Sequence, residues 1–81
     1  MTIYMVIQYF KDDYGDETHF DLFKDKATAL EFFKYVVETF KHNNTDLDEC
    51  DINLNDTFFN CYNPFTYEDT SIYIQEEKTH D

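Results

Sequence analysis

The start of the chain is a run of mostly apolar positions, rich in the β-branched and aromatic residues that are typical of β-strands. In residues 2–10, one side carries Ile3, Met5, Ile7 and Tyr9, and the other carries Tyr4, Val6, Gln8 and Phe10. Because both sides are largely apolar, this segment is predicted to be a central strand. The polar segment 11–16 holds Gly15, which can supply the positive φ of a hairpin loop. A second strand, with one apolar and one mixed face, is predicted over residues 17–23.

A helix is predicted over residues 26–42, where the apolar period changes to that of an amphipathic helix. Asp25 stands at the N-cap position. The expected buried stripe comprises Ala29, Leu30, Phe33, Val36, Val37 and Phe40. Phe32 and Tyr35 fall off this stripe and are expected to cover a sheet edge, with a contact to a partner as the alternative. The pair at 43–44 is expected to end the helix, since asparagine tolerates the left-handed conformation at a C-terminal cap.

The second half of the chain contains short strand candidates, which cover residues 52–54, 57–62 and 70–75. Pro64 marks a loop between the last two candidates, and Ile52 and Leu54 are expected to point inward. No repeat, linker or low-complexity tract divides the sequence. We therefore predict one small α+β domain over residues 1–81, with an N-terminal β-hairpin, one amphipathic helix and then two or three antiparallel strands.

The composition favours a folded domain of high negative charge. The 81 residues are 42 % hydrophobic and 20 % aromatic, with one Gly and one Pro, which is too apolar for a disordered acidic tail. Six Lys and no Arg against eighteen Asp and Glu give a net charge of −12. This charge disfavours nucleic acids and anionic membranes as direct partners, and it favours a basic protein surface. It also favours a monomer over tight self-association.

The sequence is also informative about the compartment. It has no apolar run of about 18 residues, and its first residues lack a basic region and a small-residue cleavage site, so we expect a cytoplasmic protein. In a reducing cytosol Cys50 and Cys61 are expected to be free thiols. The preference for Asn, Lys, Ile, Phe and Tyr over Arg, Ala, Gly and Pro is typical of an AT-rich genome.

No motif in the sequence indicates catalysis or metal binding. The segment that begins at Asp51 has the alternating oxygen ligands of a calcium loop, but Asp56 and Tyr62 stand where that loop needs Gly and Glu. The three histidines and two cysteines lack the close spacing of a zinc site, and the single Ser71 has no catalytic context. One glycine cannot form a phosphate-binding loop. We therefore expect no enzyme, no metal and no cofactor.

The distribution of the acidic residues is the remaining functional signal. Residues 1–41 carry a charge of −3 and residues 42–81 a charge of −9. In the second half, carboxylates gather near loops and strand ends, with aromatic residues suited to anchor a partner. The predicted partner-binding residues are Asp46, Asp48, Glu49, Asp51, Asp56, Tyr62, Phe65, Tyr67, Glu68, Asp69, Glu76 and Glu77. A second candidate patch comprises Asp12, Asp13, Asp16 and Glu17, and an acidic surface that serves only solubility is the alternative.

In length, charge, single-domain build and AT-rich composition, the chain resembles the small acidic inhibitors encoded by bacteriophages, such as anti-CRISPR proteins and other nucleic-acid mimics. The resemblance includes no motif, so it assigns no role to any residue. It implies a phage-encoded inhibitor whose carboxylates match phosphate positions and block the Lys/Arg-lined channel of a nucleic-acid-binding protein or nuclease complex. The alternatives are an immunity protein against a nuclease toxin and a non-inhibitory structural module that self-associates through its aromatic surface.

Overall fold

A computed structural model describes residues 1–44 and 47–78, which form a five-stranded antiparallel sheet and one α-helix. The elements are β1 (Thr2–Asp12), β2 (Gly15–Phe23), α1 (Lys26–Asn43), a short 3₁₀ helix (Leu47–Glu49), β3 (Asp51–Leu54), β4 (Phe58–Asn63) and β5 (Glu68–Lys78). The strand order is β2-β1-β5-β4-β3. This architecture confirms the predicted α+β fold, including the N-terminal hairpin, and gives three strands after the helix.

The β1–β2 hairpin is tighter than predicted. Residues 11–16 were expected to form a loop, but Asp12 pairs with Gly15, so that only two residues form the turn. Gly15 has a φ of +144°, the positive value predicted for it. The Asp12 carboxylate accepts a hydrogen bond from the Tyr14 N–H at 2.8 Å, which stabilises the turn locally. The short turn carries the acidic residues on either side of it into paired strands.

The start of α1 agrees with the prediction, and its end is formed by a different mechanism. Asp25 is the N-cap, and its carboxylate accepts hydrogen bonds from the Ala27 N–H and the Thr28 hydroxyl, both at 3.2 Å. At the other end, Asn44 is extended, with a φ of −120°, and is not left-handed as expected. Its side-chain amide instead donates a hydrogen bond to the Phe40 carbonyl at 2.7 Å, which satisfies a carbonyl of the last turn.

The hydrophobic core lies between α1 and one face of the sheet, which we call the covered face. Its buried residues are Val6, Phe59, Cys61 and Ile72 from the sheet and Ala29, Phe33, Val36 and Val37 from the helix. Leu30 and Phe40, also predicted for the stripe, are half-buried. Phe32 packs against Phe23 of the edge strand β2, with ring centroids 5.2 Å apart, as expected, whereas Tyr35 is largely exposed.

Ile52 and Leu54 point inward, as predicted, because they lie on the covered face opposite Cys61 and Phe59 of β4. They nevertheless remain 40 % and 52 % exposed. The reason is the position of α1, which packs mainly over β1, β2 and β5. The edge strand β3 therefore extends beyond the helix.

The other face of the sheet, which we call the open face, has no helix packed on it within residues 1–44 and 47–78. β1 points Ile3, Met5, Ile7 and Tyr9 to this face. The molecule is elongated, measuring 46 × 23 × 17 Å with a radius of gyration of 13.7 Å, because β1 and β5 each contain 11 residues. The value of about 12 Å expected for a compact chain of this length is too small. Across the described residues, no helix is both long and apolar enough to cross a bilayer.

Candidate functional site

Three acidic segments meet at one end of the sheet, which we call the hairpin end. It comprises the β1–β2 turn, the β4–β5 loop and the segment leading into β3, which the antiparallel registers bring to the same edge. In the described part of the chain, the carboxylates at this end are Asp12, Asp13, Asp16, Glu17, Asp48, Glu49, Asp51, Glu68 and Asp69, and the lysines are Lys11 and Lys41. The hairpin end is therefore strongly negative.

The opposite end, which we call the far end, is nearly balanced in charge. It comprises the β3–β4 loop, the last residues of β5 and the start of α1. Its carboxylates within residues 1–44 and 47–78 are Asp25, Asp56, Glu76 and Glu77, and its lysines are Lys24, Lys26 and Lys78. The contrast in charge thus runs along the long axis of the molecule and does not follow the two halves of the sequence.

The structure divides the predicted partner-binding residues between these two ends. The hairpin end holds Asp48, Glu49, Asp51, Tyr62, Phe65, Tyr67, Glu68 and Asp69. Asp56, Glu76 and Glu77 lie at the far end, and Asp46 lies outside the described residues. The second candidate patch, on the β1–β2 hairpin, joins the hairpin end. Sequence reasoning treated that patch as separate because the strand pairing that unites the acids is long-range.

One row of side chains on the open face crosses all five strands at the hairpin end. In strand order the row contains Asp16, Lys11, Asp69, Tyr62 and Asp51. Neighbouring strands are about 4.8 Å apart, so carboxylates on alternate strands are about 10 Å apart. The row therefore presents three regularly spaced negative charges, separated by a lysine and a tyrosine.

Hydrogen bonds on the open face orient two carboxylates of this row. The Asn60 amide donates to Asp69 Oδ1 at 2.8 Å and to the Ser71 hydroxyl oxygen at 3.0 Å. The Tyr9 hydroxyl donates to Asp16 Oδ2 at 3.2 Å. Partial desolvation on the sheet, followed by the negative charges of Asp16 and Asp69, raises the pKa of Tyr9 above its usual value. Tyr9 is therefore held as a protonated hydrogen-bond donor to the row.

The β4–β5 loop displays two aromatic side chains at the hairpin end. The Asn63 side-chain oxygen accepts hydrogen bonds from the Phe65 N–H at 2.9 Å and the Thr66 N–H at 3.3 Å, and the Tyr67 N–H donates to the Asn63 carbonyl at 2.8 Å. Phe65 and Tyr67 are nevertheless 72 % and 63 % exposed. Tyr67 has a φ of +62°, a left-handed value that a residue with a Cβ seldom adopts. The loop is thus well ordered while its aromatic rings face solvent.

Beneath this end, Cys50 and Cys61 line a cleft of about 240 Å³ that also contacts Asn63 and Glu68. The two thiols are not joined in a disulfide, as predicted. Burial, followed by a hydrogen bond with Cys50, raises the pKa of the Cys61 thiol to about 12. Cys61 is therefore a protonated, structural thiol at neutral pH and is unsuited to act as a nucleophile.

No group of three or more His, Cys, Asp or Glu side chains suited to a metal ion occurs in residues 1–44 and 47–78. His19 is exposed, with its Nε2 atom 2.9 Å from Glu17 Oε1 and its ring centroid 6.4 Å from that of Phe10. His42 lies in the last turn of α1, where the helix dipole favours a positive charge. His80, the third histidine considered as a ligand, lies outside the described residues.

Sequence reasoning did not identify the apolar side chains of the open face as a possible binding surface. The register places Phe20, Ile7, Tyr73 and Phe58 in one row across β2, β1, β5 and β4. Leu22 and Met5 form part of the next row. The signal that could have revealed this surface is the apolar character of both sides of β1, because a sheet covered on one face needs only one apolar side.

Comparison of the chain with protein-family models, with curated proteins and with solved structures finds no match. Two surfaces of the molecule therefore provide the functional information: the hairpin end, with its carboxylates and aromatic rings, and the open face, with its apolar rows.

Proposed function

We propose that this protein is a non-enzymatic inhibitor that binds the basic, nucleic-acid-binding surface of a partner protein through its hairpin end. One observation carries the proposal: within residues 1–44 and 47–78, the fold collects nine carboxylates from three separate segments at one end and leaves the other end nearly neutral. If the negative charge served solubility alone, it would not have to be concentrated at one end of the molecule. The partner class is a nucleic-acid-binding protein or nuclease complex, as in the phage inhibitors that the sequence resembles.

The spacing of the carboxylate row supports this kind of partner. Asp16, Asp69 and Asp51 are separated by about 10 Å each, from the distance between strands. A phosphate backbone likewise presents negative charges at regular intervals. Lys and Arg side chains that line a nucleic-acid-binding surface can therefore contact the carboxylates of the row instead.

The aromatic tips of the β4–β5 loop supply the anchoring that charge alone does not provide. Exposed charge pairs contribute little affinity, whereas buried aromatic residues commonly dominate the binding energy of an interface. Phe65 and Tyr67 are exposed on a loop whose backbone Asn63 holds in place, so little ordering is needed when a partner binds. The left-handed backbone of Tyr67 costs about 1 kcal/mol, and a role for its ring outside the fold accounts for its presence there.

Inhibition follows by competition. The negative end accelerates encounter with a positive channel, and the bound protein then excludes the nucleic acid from that channel. The proposed site of action is the cytoplasm of a bacterial host, if the protein is encoded by a phage. An immunity protein against a nuclease toxin would use the same surface against a different basic target, so the experiment must identify the target.

Two matched triple variants test the proposal. The first neutralises the hairpin end with Asp48→Asn, Glu49→Gln and Glu68→Gln. The second neutralises the far end with Asp56→Asn, Glu76→Gln and Glu77→Gln. Both remove one Asp and two Glu charges from exposed positions, so the overall charge of the two variants is the same. Each is immobilised beside the wild type, exposed to bacterial lysate and eluted with steps of increasing salt.

The proposal predicts that the wild type and the far-end variant retain a nucleic-acid-binding protein that added DNA or RNA displaces. The hairpin-end variant should release the same protein at a clearly lower salt concentration, because charge steers and supports binding. Equal retention by both variants would show that overall charge, and not the hairpin end, governs binding. Recovery of the bait alone, as a stable oligomer, would favour the self-associating module instead.

A further inference from the structure

The open face is more apolar than a sheet face in water needs to be. An antiparallel sheet with one covered face typically alternates apolar and polar residues, so that its second face is polar. Here the second face carries Ile3, Met5 and Ile7 on β1, and the apolar rows continue onto both neighbouring strands. These side chains are only half-buried by one another. The middle of the face is therefore apolar without a layer packed upon it, although Gln75 and Glu77 of β5 lie beside Met5 and Ile3.

The exposed apolar area has a defined position and direction. Phe20 and Leu22 of the edge strand β2 are 63 % and 58 % exposed, and Phe58 of β4 is 38 % exposed. The rings of Phe58 and Tyr73 lie 6.5 Å apart and extend the area across the middle of the sheet. We call this area the apolar patch; it comprises Met5, Ile7, Phe20, Leu22, Phe58 and Tyr73. Toward the hairpin end the patch gives way to Asn60, Ser71 and then the carboxylate row.

A helix is the occupant that fits this patch. The backbone groups of these strands point along the sheet toward neighbouring strands, and the unpaired ones of the edge strand β2 point outward from its edge, so a segment that lies on the face meets side chains only. A binding segment must then satisfy its own backbone hydrogen bonds, which an α-helix does. The covered face shows the corresponding arrangement, since the 18-residue α1 packs there along the same strands.

Charge complementarity determines the chemistry of that helix. Its apolar stripe must face the patch, and the end that reaches the hairpin end meets Asp16, Asp69 and Asp51. A helix N-terminus carries a partial positive charge that attracts these carboxylates, and lysine or arginine in the first turn adds to this attraction while it destabilises the isolated helix. A second copy of this chain is a poor occupant, because each copy carries a net charge of −12.

We propose that the open face binds an amphipathic α-helix of the partner protein, with the basic N-terminal end of that helix over the carboxylate row and its apolar stripe over the patch. This inference rests on the proposed function, which supplies the premise that the partner is positively charged. It adds that the partner also contacts the open face, and that the segment bound there is an α-helix.

The test uses designed helical peptides of 18 residues as probes. One has a Leu/Ile stripe and three lysines in its first turn, and the other replaces those lysines with glutamates. Binding is measured by calorimetry at physiological salt, and the binding site is mapped from the methyl NMR signals of Met5, Ile7 and Leu22 on the open face. Val36 and Val37, buried against the covered face, serve as internal reference methyls.

Two double variants are matched for this purpose. Phe20→Thr with Leu22→Thr removes apolar side chains of the patch from the edge strand β2. Ile52→Thr with Leu54→Thr removes similarly exposed side chains from the other edge strand, β3, on the covered face. Threonine keeps the β-branched shape that strands favour, and methyl spectra verify that both variants are folded.

The proposal predicts that the lysine peptide shifts the Met5, Ile7 and Leu22 methyls and leaves Val36 and Val37 unchanged. The β2 double variant should weaken binding at least about tenfold, as loss of a central apolar contact does, and the β3 double variant should bind like the wild type. The glutamate peptide should bind at least about tenfold more weakly than the lysine peptide.

Three results would overturn the inference. Binding of the lysine peptide without shifts at the open-face methyls, or equal losses in the two double variants, would remove the patch as its site. A wild-type dimer that the β2 variant dissociates would assign the patch to a second copy. The two proposals can fail separately. If the lysine peptide binds and needs the apolar patch, but the hairpin-end and far-end triple variants elute at the same salt concentration, only the proposed function is refuted.

Discussion

Phe58 and Phe59 are neighbours in β4, yet they belong to different environments. Phe59 is fully buried on the covered face, where its ring lies 5.5 Å from that of Phe40. Phe58 points to the open face, pairs with Tyr73 and is 38 % exposed. The same residue type therefore stabilises the fold on one face, while on the other it presents apolar surface to solvent. Burial thus distinguishes a residue that the fold requires, such as Phe59, from a residue such as Phe58, whose exposed surface would be useful only in an interaction.

The two ends of the molecule differ in the same way. The far end pairs four carboxylates with three lysines in the described part of the chain, so its charges nearly cancel. Within residues 1–44 and 47–78, the hairpin end concentrates nine carboxylates, which repel one another and destabilise the folded state. Both the apolar patch and the acidic end thus act against solubility or stability of the isolated domain. This shared property is why we assign both to binding.

The largest expected effect is a difference between the two phenylalanines of β4. Phe59→Ala should lower the free energy of unfolding by about 3–5 kcal/mol, since it removes a fully buried ring and leaves a cavity. Phe58→Ala should lower it by about 1 kcal/mol, because much of that ring is already hydrated in the folded state. Urea denaturation followed by circular dichroism measures both.

In a domain of this size, Phe59→Ala could unfold the protein completely. Phe59→Leu therefore serves as a milder variant, with an expected loss of about 1–2 kcal/mol. Equal losses for the alanine variants of Phe58 and Phe59 would contradict the distinction between the covered and the open face.

At alkaline pH, titration of Cys61 on the covered face should lower the free energy of unfolding more than titration of Tyr9 on the open face. Burial in the folded protein raises the pKa of the Cys61 thiol from its ordinary value of 9.0 to about 12. The thiol's contribution to the free energy of unfolding is therefore complete below pH 9 and is lost as the pH rises toward 12. The loss between pH 8 and pH 10 should be about 1 kcal/mol. Urea unfolding of the wild type and of Cys61→Ala at several pH values measures this slope, which the substitution should flatten.

Tyr9→Phe provides the open-face control for this pH dependence. The pKa of Tyr9 is also raised, so its contribution is lost above its ordinary value of 10.0 as the pH rises. Because Tyr9 lies on the open face beside water, its removal should change the slope less than removal of Cys61 does. A larger change with Tyr9→Phe would show that the carboxylate row, and not the core, governs alkaline stability.

Salt should distinguish the hairpin end from the far end. At low ionic strength, the triple variant at Asp48, Glu49 and Glu68 should have a higher Tm than the wild type by about 2–4 °C, or about 0.5 kcal/mol, because it relieves repulsion among clustered charges. The triple variant at Asp56, Glu76 and Glu77 should have a Tm closer to that of the wild type. Thermal melts at low and high salt test this, and the two triple variants should converge as salt screens the repulsion.

The smallest expected effect on stability is that of Tyr67→Gly. Glycine relieves the left-handed backbone strain of about 1 kcal/mol, and its greater freedom in the unfolded chain costs about 0.5–1 kcal/mol, so the net change should stay within about 0.5 kcal/mol. Partner retention in the salt-elution experiment should nevertheless fall, since an anchoring ring is lost.

Phe65→Gly is the control for Tyr67, because no positive φ is present at Phe65 for glycine to relieve. It should therefore lower stability by about 0.5–1 kcal/mol, as glycine does at an ordinary position. A clear loss of stability in Tyr67→Gly, with unchanged partner retention, would show that the Tyr67 ring serves the fold.

Much of the local structure follows from the sequence. The N-cap at Asp25, the positive φ of Gly15 and the apolar stripe of α1 depend on residues close together in the chain, and each was predicted correctly. Two local details differ, namely the tighter β1–β2 turn and the extended Asn44, and the remaining difference concerns contacts between distant residues. Ile52 has the alternation of an inward-facing strand residue, but its burial depends on how far α1 extends over the sheet. No local pattern contains that information.

The candidate site shows the same division. The acidic residues and the exposed aromatic rings could be selected from the sequence because charge and residue type are local properties. Their grouping could not, since Asp16, Asp69 and Asp51 become neighbours only through the pairing of five strands. Asp56 and Glu76 were grouped with Asp51 from their place in the second half of the chain, yet they lie at the far end.

The sequence by itself determined the fold class, the strands and helix, and the net charge of −12. These properties sum or repeat over neighbouring residues, so periodicity and composition reveal them. Only the tertiary structure decided which face of the sheet α1 covers, and where along the molecule the charge gathers. Both are set by strand order and helix placement, which depend on the packing of residues far apart in the chain.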